Sequence, residues 1–367
     1  MVNKTRLGIK FFSLLVSLLL GIGAFECGSM IAIETETVPA TRPSYSKSGT
    51  QPFWADINPN WGVWHHKIEF RHAKSCFDVV YKANSYGARD KERDRRSSES
   101  RIVVLGDSFV EGYGVADADR LTNLLAVRSG IEHLNFGTAG GFGPVGEYKL
   151  YESLAQGFDH DAVILAILPD NDFTDDAPDA WRDSKRYRVY WEGSYPDYTL
   201  TYNLNDPADS EFNERPGLVS VARSTLRDYT YGYHFVSWNI AAYKYSRKTR
   251  KLAAPNQSRY YHYTRDEWDR MRYSIEKIRS LAANKRMMIF AIPREVDFVE
   301  YAKNGAPPFS SDMRALCQEL DIEFIDLIGP MAGESTFEFF HSCDRHWSPK
   351  GNAFAASVLM RESKLYR

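Results

Sequence analysis

Ile102-Val103-Val104-Leu105-Gly106-Asp107-Ser108-Phe109 is the stretch on which the fold turns. Ile102 to Leu105 is a continuous apolar run of strand length, with no polar alternation. A strand with one wet face alternates; a parallel strand covered on both faces does not. Gly106 closes the run and two polar residues follow at once. Downstream the rhythm repeats. Asp119–Arg128 carries Leu121, Leu124 and Leu125 on one helical face. His133-Leu134-Asn135-Phe136 is a second short strand ending in glycines, and Gly146–Gln156 reads as a helix. Ala162 to Leu168 is the strongest buried strand and stops at Pro169. Further on, Thr264 and Glu267 form a capping-box pattern ahead of Trp268, Met271, Ile275 and Ile278 at helical spacing. A strand over Met287–Ile292, a helix over Ser311–Leu320, a strand over Ile322–Leu327 and a helix over Pro349–Met360 complete the series. Apolar strands alternating with helices predict an α/β domain whose parallel sheet is covered on both faces.

Outside this rhythm lie three segments. Residues from about 178 to 260 read as an insertion: a hairpin from Arg188-Val189-Tyr190-Trp191 and Tyr198 to Tyr202, then an aromatic helix from about Phe235 to Lys251. Its tyrosines and Trp191 fill a hairpin core or stack on sugar faces. At the N-terminus, Lys4, Arg6 and Lys10 precede an uncharged run from Phe11 to Phe25. Glu26 interrupts, and Cys27 to Ile33 is again mostly apolar. The run suits a signal-peptide core, and the extension to Ile33 suits a spanning helix of about 20 residues. No small-x-small cleavage site follows Phe25, so residues 1–33 are read as an uncleaved signal anchor in an inner membrane. The leading positive charges stay cytoplasmic, which puts the rest of the chain in an extracytoplasmic space such as a bacterial periplasm. Residues 34–60, rich in Thr, Ser and Pro, read as a linker.

The polar groups past the strands carry the chemistry. Ligands bind beyond the C-terminal ends of parallel strands. Asp107 and Ser108 follow the first strand, Gly137 to Gly143 the second, and Asp170-Asn171-Asp172 the third, so all three segments share one rim. A serine there attacks a carbonyl once a base removes its proton. The oxyanion needs donors such as glycine N–H groups and an Asn amide. The base is a histidine held by a carboxylate, and His341-Ser342-Cys343-Asp344-Arg345-His346-Trp347 offers both.

With these blocks in order, the chain resembles the SGNH (GDSL-type) hydrolase superfamily over roughly residues 84 to 362. Gly106-Asp107-Ser108-Phe109 is similar to that family's Gly-Asp-Ser-Leu block. The marker Ser, Gly, Asn and His match Ser108, Gly140, Asn171 and His346, with Asp344 as the third triad member. The resemblance implies a three-layer α/β/α sandwich with a flavodoxin-like parallel sheet over residues 61–365. It also implies cofactor-free and metal-free ester hydrolysis or acyl transfer, and an oxyanion hole made by the Ser108 and Gly140 N–H groups and the Asn171 side chain. Phe109 replaces the usual Leu, and Pro169 stands where the third block usually has Gly. The last block is Asp-x-His where many members have Asp-x-x-His, which leaves Asp344 or a backbone carbonyl to orient His346. Asp344-x-His346-Trp347 with Pro349 and Gly351 resembles the branch that includes alginate-type polysaccharide O-acetyltransferases. The expected partner is therefore an acyl-ester substrate, with a glycan as carrier or acceptor. The rival readings are an O-acetyltransferase and a non-catalytic glycan- or partner-binding module on the same fold.

Bulk composition closes other routes. A formal net charge of -2 on 367 residues offers no basic surface for nucleic acid. The acidic group Asp170, Asp172, Asp175 and Asp176 lacks the central Gly and terminal Glu of a calcium loop. His341, Cys343 and His346 find no second cluster to complete a zinc site, and His65 and His66 read as surface or packing residues. Four cysteines stand at 27, 76, 317 and 343. With Cys27 in or near the membrane segment, the other three allow at most one intramolecular disulfide, whose pairing stays open.

Overall fold

The computed structural model describes residues 4–35, 37–38, 40, 42–43, 55–65, 69–74, 76–210, 217–247, 257–334 and 336–367. The reading of His66, most of the linker reading and the end of the aromatic helix fall outside them. The chain separates into two compact units, Met1–Ser46 with Pro216–Asn256, and Lys47–Arg215 with Gln257–Arg367.

The smaller unit opens with helix α1 (Lys4–Glu34). The larger unit begins with two antiparallel hairpins, β1 (Ala55–Asn58) with β2 (Gly62–His65), and β3 (Glu69–Lys74) with β4 (Phe77–Lys82). β1 thus forms from residues read as the end of the linker. The core then runs as the strand–helix rhythm predicts: β5 (Arg101–Gly106), α2 (Ser108–Glu111), α3 (Leu121–Ser129), β6 (Glu132–Gly137), α4 (Pro144–Ser153), β7 (Ala162–Ile167), α5 (Pro169–Asp175) and α6 (Pro178–Trp181). The hairpin β8 (Val189–Glu192) with β9 (Thr199–Tyr202) follows. Two helices of the smaller unit come next, α7 (Leu218–Tyr229) and α8 (Tyr231–Arg247), where the sequence suggested one. The chain returns to the larger unit with α9 (Arg265–Ala282), β10 (Arg286–Ala291), α10 (Glu295–Asn304), α11 (Pro308–Glu319), β11 (Glu323–Asp326), α12 (Ile328–Ala332) and α13 (Pro349–Glu362).

The central sheet has five strands in the order β11-β10-β7-β5-β6, and every pair in it is parallel. In sequence rank this is the flavodoxin-like order, with its switch point between the first strand, β5, and the third, β7. All six residues of β5 and of β7 are buried. Successive strand residues point to opposite faces, so both faces of these strands are covered. Two helix pairs do this, α3 with α13 and α4 with α9. The fold is therefore a three-layer α/β/α sandwich. Local chemistry agrees with it: Thr264 caps α9 through the reciprocal bonds its spacing to Glu267 predicts, a device worth about 1 kcal/mol.

Candidate active site

β5 ends at Gly106 and hands the chain directly to α2, whose first residue is Ser108. Asp107 caps that helix, its Oδ1 accepting the Phe109 N–H at 2.9 Å. The glycines let the neighbouring loop come close. A Cβ on Gly137, at the end of β6, would lie 2.3 Å from the Glu111 nitrogen of α2. Gly140, three residues on, holds φ at +111°, a conformation only glycine adopts without strain. From beneath, the buried Glu111 carboxylate accepts the Ala139 N–H, and His65 of β2 lies 3.4 Å from it. From outside the loop, Arg188 donates to the Gly140 carbonyl.

Ser108 Oγ lies 2.8 Å from His346 Nε2, and His346 Nδ1 lies 3.1 Å from Asp344 Oδ1. The short Asp-x-His spacing works because of the residue between. Arg345 takes φ of +67°, which folds Asp344 and His346 toward each other. Asp344 Oδ1 also accepts the His346 backbone N–H at 3.1 Å, the bond of an Asx turn. A bridge between Phe340 and Trp347 closes the loop, with the His341 N–H donating to the His346 carbonyl at 2.7 Å. Of the two candidate partners, the Asp344 carboxylate lies within hydrogen-bond distance of His346 Nδ1.

Lys74, at the end of β3, donates to Asp344 Oδ2 at 3.0 Å, and both side chains are largely buried. Burial opposes ionisation of Asp344. The bond and charge of His346, the Lys74 ammonium and the His346 N–H outweigh it and hold the carboxyl well below the usual carboxylate range. An ionised carboxylate only accepts, so His346 Nδ1 carries the proton and Nε2 offers its lone pair to the Ser108 hydroxyl. The imidazole is fixed on its flat side as well, stacked on Tyr113 with 4.2 Å between ring centroids and with Phe109 at 5.1 Å. A disulfide between Cys76 and Cys343, Cα atoms 5.8 Å apart, fastens the β3–β4 turn to the loop that carries Asp344. Cys343 therefore has no thiolate to give a metal, and among the described residues no group of three or more His, Cys, Asp or Glu is placed to hold one.

Asn171 lies in the first turn of α5, past β7. Pro169 suits the first position of that helix, where its missing N–H costs nothing. Asn171 Nδ2 donates to Asp107 Oδ2 at 3.1 Å, which links it to the residue before Ser108 and leaves its second amide hydrogen unspent. Asp170 pairs with Arg294. Behind these groups lie buried carboxyls. Burial first, then neighbouring carboxylates, pushes Glu147 and Asp172 well above the usual range. Burial likewise raises Asp176, whose carboxylate accepts the Val145 N–H at the start of α4.

Ser108, His346 and Asp344 are thus in direct contact, Asn171 joins through Asp107, and Gly140 sits on the rim loop past β6. Sequence reading passed over Lys74, Tyr113 and the Glu111–His65 pair. Lys74 and His65 lie on the first hairpins, ahead of the α/β rhythm, and nothing local marks them as neighbours of Asp344 and Glu111; Tyr113, five residues after Ser108, meets His346 only through the fold.

No family model matches the chain, and no curated protein matches it. Solved structures do. One is a member of the lipolytic protein G-D-S-L family from Veillonella parvula, with TM-score 0.37 and 13% identity, covering 72% of this chain and 97% of that one. Another is the lipase/acylhydrolase of Enterococcus faecalis, with TM-score 0.35 and 14% identity, covering 72% and 94%. A third is a carbohydrate esterase family 2 enzyme with a carbohydrate binding domain from Corynascus thermopiles, with TM-score 0.38 and 13% identity, covering 74% and 67%.

Proposed function

We propose that the chain is a serine esterase of the SGNH kind, held at a membrane by α1 and acting outside the cytoplasm on O-acyl esters. The contact of Ser108 Oγ with His346 Nε2 at 2.8 Å, backed by Asp344, carries the reading. In the proposed reaction Ser108 Oγ attacks the ester carbonyl carbon while its proton passes to His346 Nε2. The N–H groups of Ser108 and Gly140 and the free amide hydrogen of Asn171 meet the oxyanion. Collapse leaves an acyl-serine, and the imidazolium returns its proton to the departing alkoxide. A second oxygen nucleophile, again deprotonated by His346, releases the acyl group. Water as that nucleophile makes the chain a hydrolase. A glycan hydroxyl makes it an O-acetyltransferase, the second reading, which the Asp344-x-His346-Trp347 form favours.

The decisive experiment is labelling with a fluorophosphonate probe, paired with hydrolysis of a small acetyl ester. Ser108 should take the probe, and Ser108→Ala should lose both labelling and about 10³-fold or more of the activity, since nucleophile and base act as a unit. An unlabelled Ser108 would make the chain a binding module instead. Mass gain on an oligosaccharide given an acyl donor would mark transfer; acetate release alone would mark hydrolysis.

Two observations support the location. Lys10–Glu34 is a helical stretch of 25 residues with mean hydropathy 1.9, long and apolar enough to cross a bilayer or to serve as a signal sequence. The Cys76–Cys343 disulfide suits an oxidising compartment.

A further inference from the structure

The smaller unit, α1 with α7 and α8, leaves large apolar side chains on its outside and buries polar ones on α7. On α7 the buried residues are Ser224, 8% exposed, and Asp228, 4% exposed, one turn apart. Outward face Leu218, 89% exposed, and Val219, 82% exposed, with Val221 and Leu226 also exposed. At 100° per residue these apolar side chains lie within one arc of about 160°, which they share with Thr225, while the exposed Ser220, Arg223 and Arg227 lie outside it. On α8, Val236 and Ile240 are exposed at a spacing of four, while His234 is buried and bonds the Arg227 carbonyl of α7. On α1 Phe11, Leu15, Ile22 and Ile31 are exposed, and Ser29 and Ile33 are buried. In water such an arrangement forfeits about 25 cal/mol for each Å² of apolar surface left wet. It suits an apolar solvent.

The contact between α1 and α8 is built for such a solvent. Glu26 interrupts the apolar run of α1, where a bare carboxylate at membrane depth is costly. Its two oxygens accept the backbone N–H groups of Tyr231 and Gly232, at 2.5 and 2.8 Å, at the start of α8. These are among the donors a helix N-terminus leaves open, and the helix dipole favours an anion there. Phe25 meets Phe235 edge to face, with 6.0 Å between centroids, and a Cβ on Gly232 would lie 2.8 Å from the Phe25 ring. Glu34 accepts the Tyr231 hydroxyl at 2.7 Å. Glu26 lies eight residues before Glu34, about 12 Å down the helix axis, so α8 begins at the depth where α1 is apolar.

We infer that α7 and α8 lie in the lipid bilayer beside α1, their apolar arcs among the acyl chains. The occupant of those arcs is lipid because they continue the apolar surface of α1 within one compact unit and because the buried positions on α7 are polar. Neither helix crosses the bilayer. Twelve and 17 residues reach about 18 and 26 Å, short of a 30 Å hydrocarbon core. The last turn of α8 and the sequence after it carry Lys244, Arg247, Lys248, Arg250 and Lys251, a basic run that suits anionic headgroups. The inference rests on α1 being a membrane helix, and it adds a second lipid-embedded element that hydropathy along the chain does not reveal.

The test uses the full chain in phosphatidylcholine–phosphatidylglycerol vesicles containing a lipid with a diazirine in its acyl chain. After illumination, label is mapped by peptide mass. Label is expected within 218–229 and 236–243 as well as within 10–34. In the triple variant Leu218→Glu, Val219→Glu, Leu226→Glu, label over 218–229 should fall about tenfold or more, while label over 10–34 and hydrolysis of an acetyl ester persist. Label confined to 10–34 overturns the inference and leaves the anchor standing; cross-links between copies through 218–229 would then identify a second chain as the cover. Absence of label from 10–34 overturns the anchor reading and this inference with it.

Discussion

Lys74 reaches Asp344 from 270 residues away in sequence, and its ammonium is the third group bonded to that carboxylate's two oxygens. In the proposed mechanism it does not touch substrate. It holds Asp344 in place and ionised, and through it the tautomer of His346. A buried charge-assisted hydrogen bond contributes about 1.5–3 kcal/mol. If that is felt in the transition state, Lys74→Met should lower kcat by about 10- to 100-fold with KM little changed, and Lys74→Arg should recover most of the loss. Steady-state kinetics on an acetyl ester check this; an equal loss in kcat and stability with no rescue by Arg would reduce Lys74 to a packing residue. Asp344→Asn should cost more, because an amide can present its N–H to Nδ1 and reverse the tautomer. The difference in legibility between these residues is physical. Ser108 and Asn171 sit just past apolar strands, where any parallel sheet gathers its ligands, so a local pattern exposes them. Lys74 acts through a contact between distant segments, and neither its neighbours nor its spacing signals it. The Asp344–His346 spacing was readable but its consequence was not, since it depends on Arg345 entering the left-handed region.

At the scale of elements, the β3–β4 hairpin is tied to the loop carrying His346 by the Cys76–Cys343 disulfide. That bond closes a loop of 267 residues, and removing a bridge of this kind costs about 2–4 kcal/mol. The double variant Cys76→Ser, Cys343→Ser should melt roughly 5–10 °C lower. It should also lose activity in proportion to Lys74→Met, because the same hairpin delivers Lys74. Cys27→Ser, at a free thiol, should change neither. Unchanged melting in the double variant would show that β-pairing and packing alone hold the hairpin. Among the elements, β5, β7 and β10 were legible because buried parallel strands read as apolar runs, β6 and β11 because they fell in the same strand–helix rhythm, and α9 because its cap and its face are both written locally. The cysteine pairing was not, since three candidates permit three pairings and only packing separates Cys343 from the buried Cys317 of α11. Nor was the break between α7 and α8, where the apolar arc of α7 faces outward and Ser224 and Asp228 face in.

Over the whole molecule, acid stability is a balance between buried groups of opposite sign. Burial lowers His133 from 6.5 to about 4, with Arg93 adding to the effect. Burial, then Lys74, lowers His72 to about 4 as well. Between pH 6.5 and 4 each of these rings is protonated in the unfolded chain before it is in the folded one, so each removes stability as pH falls through that window. Buried carboxyls act the other way. Burial lifts Asp175 to about 7 and Asp297 to about 6. Over that range the folded state binds the proton first, and stability is lost as pH rises. A raw melt against pH therefore mixes cancelling slopes, and a difference curve is needed to isolate one group. His133 is suited to it: its Nδ1 lies 2.9 Å from the Ile131 carbonyl and its Nε2 2.9 Å from the Tyr366 hydroxyl. A neutral ring satisfies both, donating from Nδ1 and accepting at Nε2; a second proton would turn the Tyr366 hydroxyl from donor to acceptor and leave a charge in a buried site. His133→Gln should cost stability at every pH, and that constant part drops out when the two proteins are compared. What remains is the titration: wild type's advantage over the variant should shrink by about 3 kcal/mol between pH 7 and pH 4, measured by denaturant unfolding at each pH. Parallel curves would mean that His133 charges within the fold at its ordinary pH, and the acid loss would then belong to His72 and to the Asp344–Lys74 pair, whose carboxylate is protonated only further down.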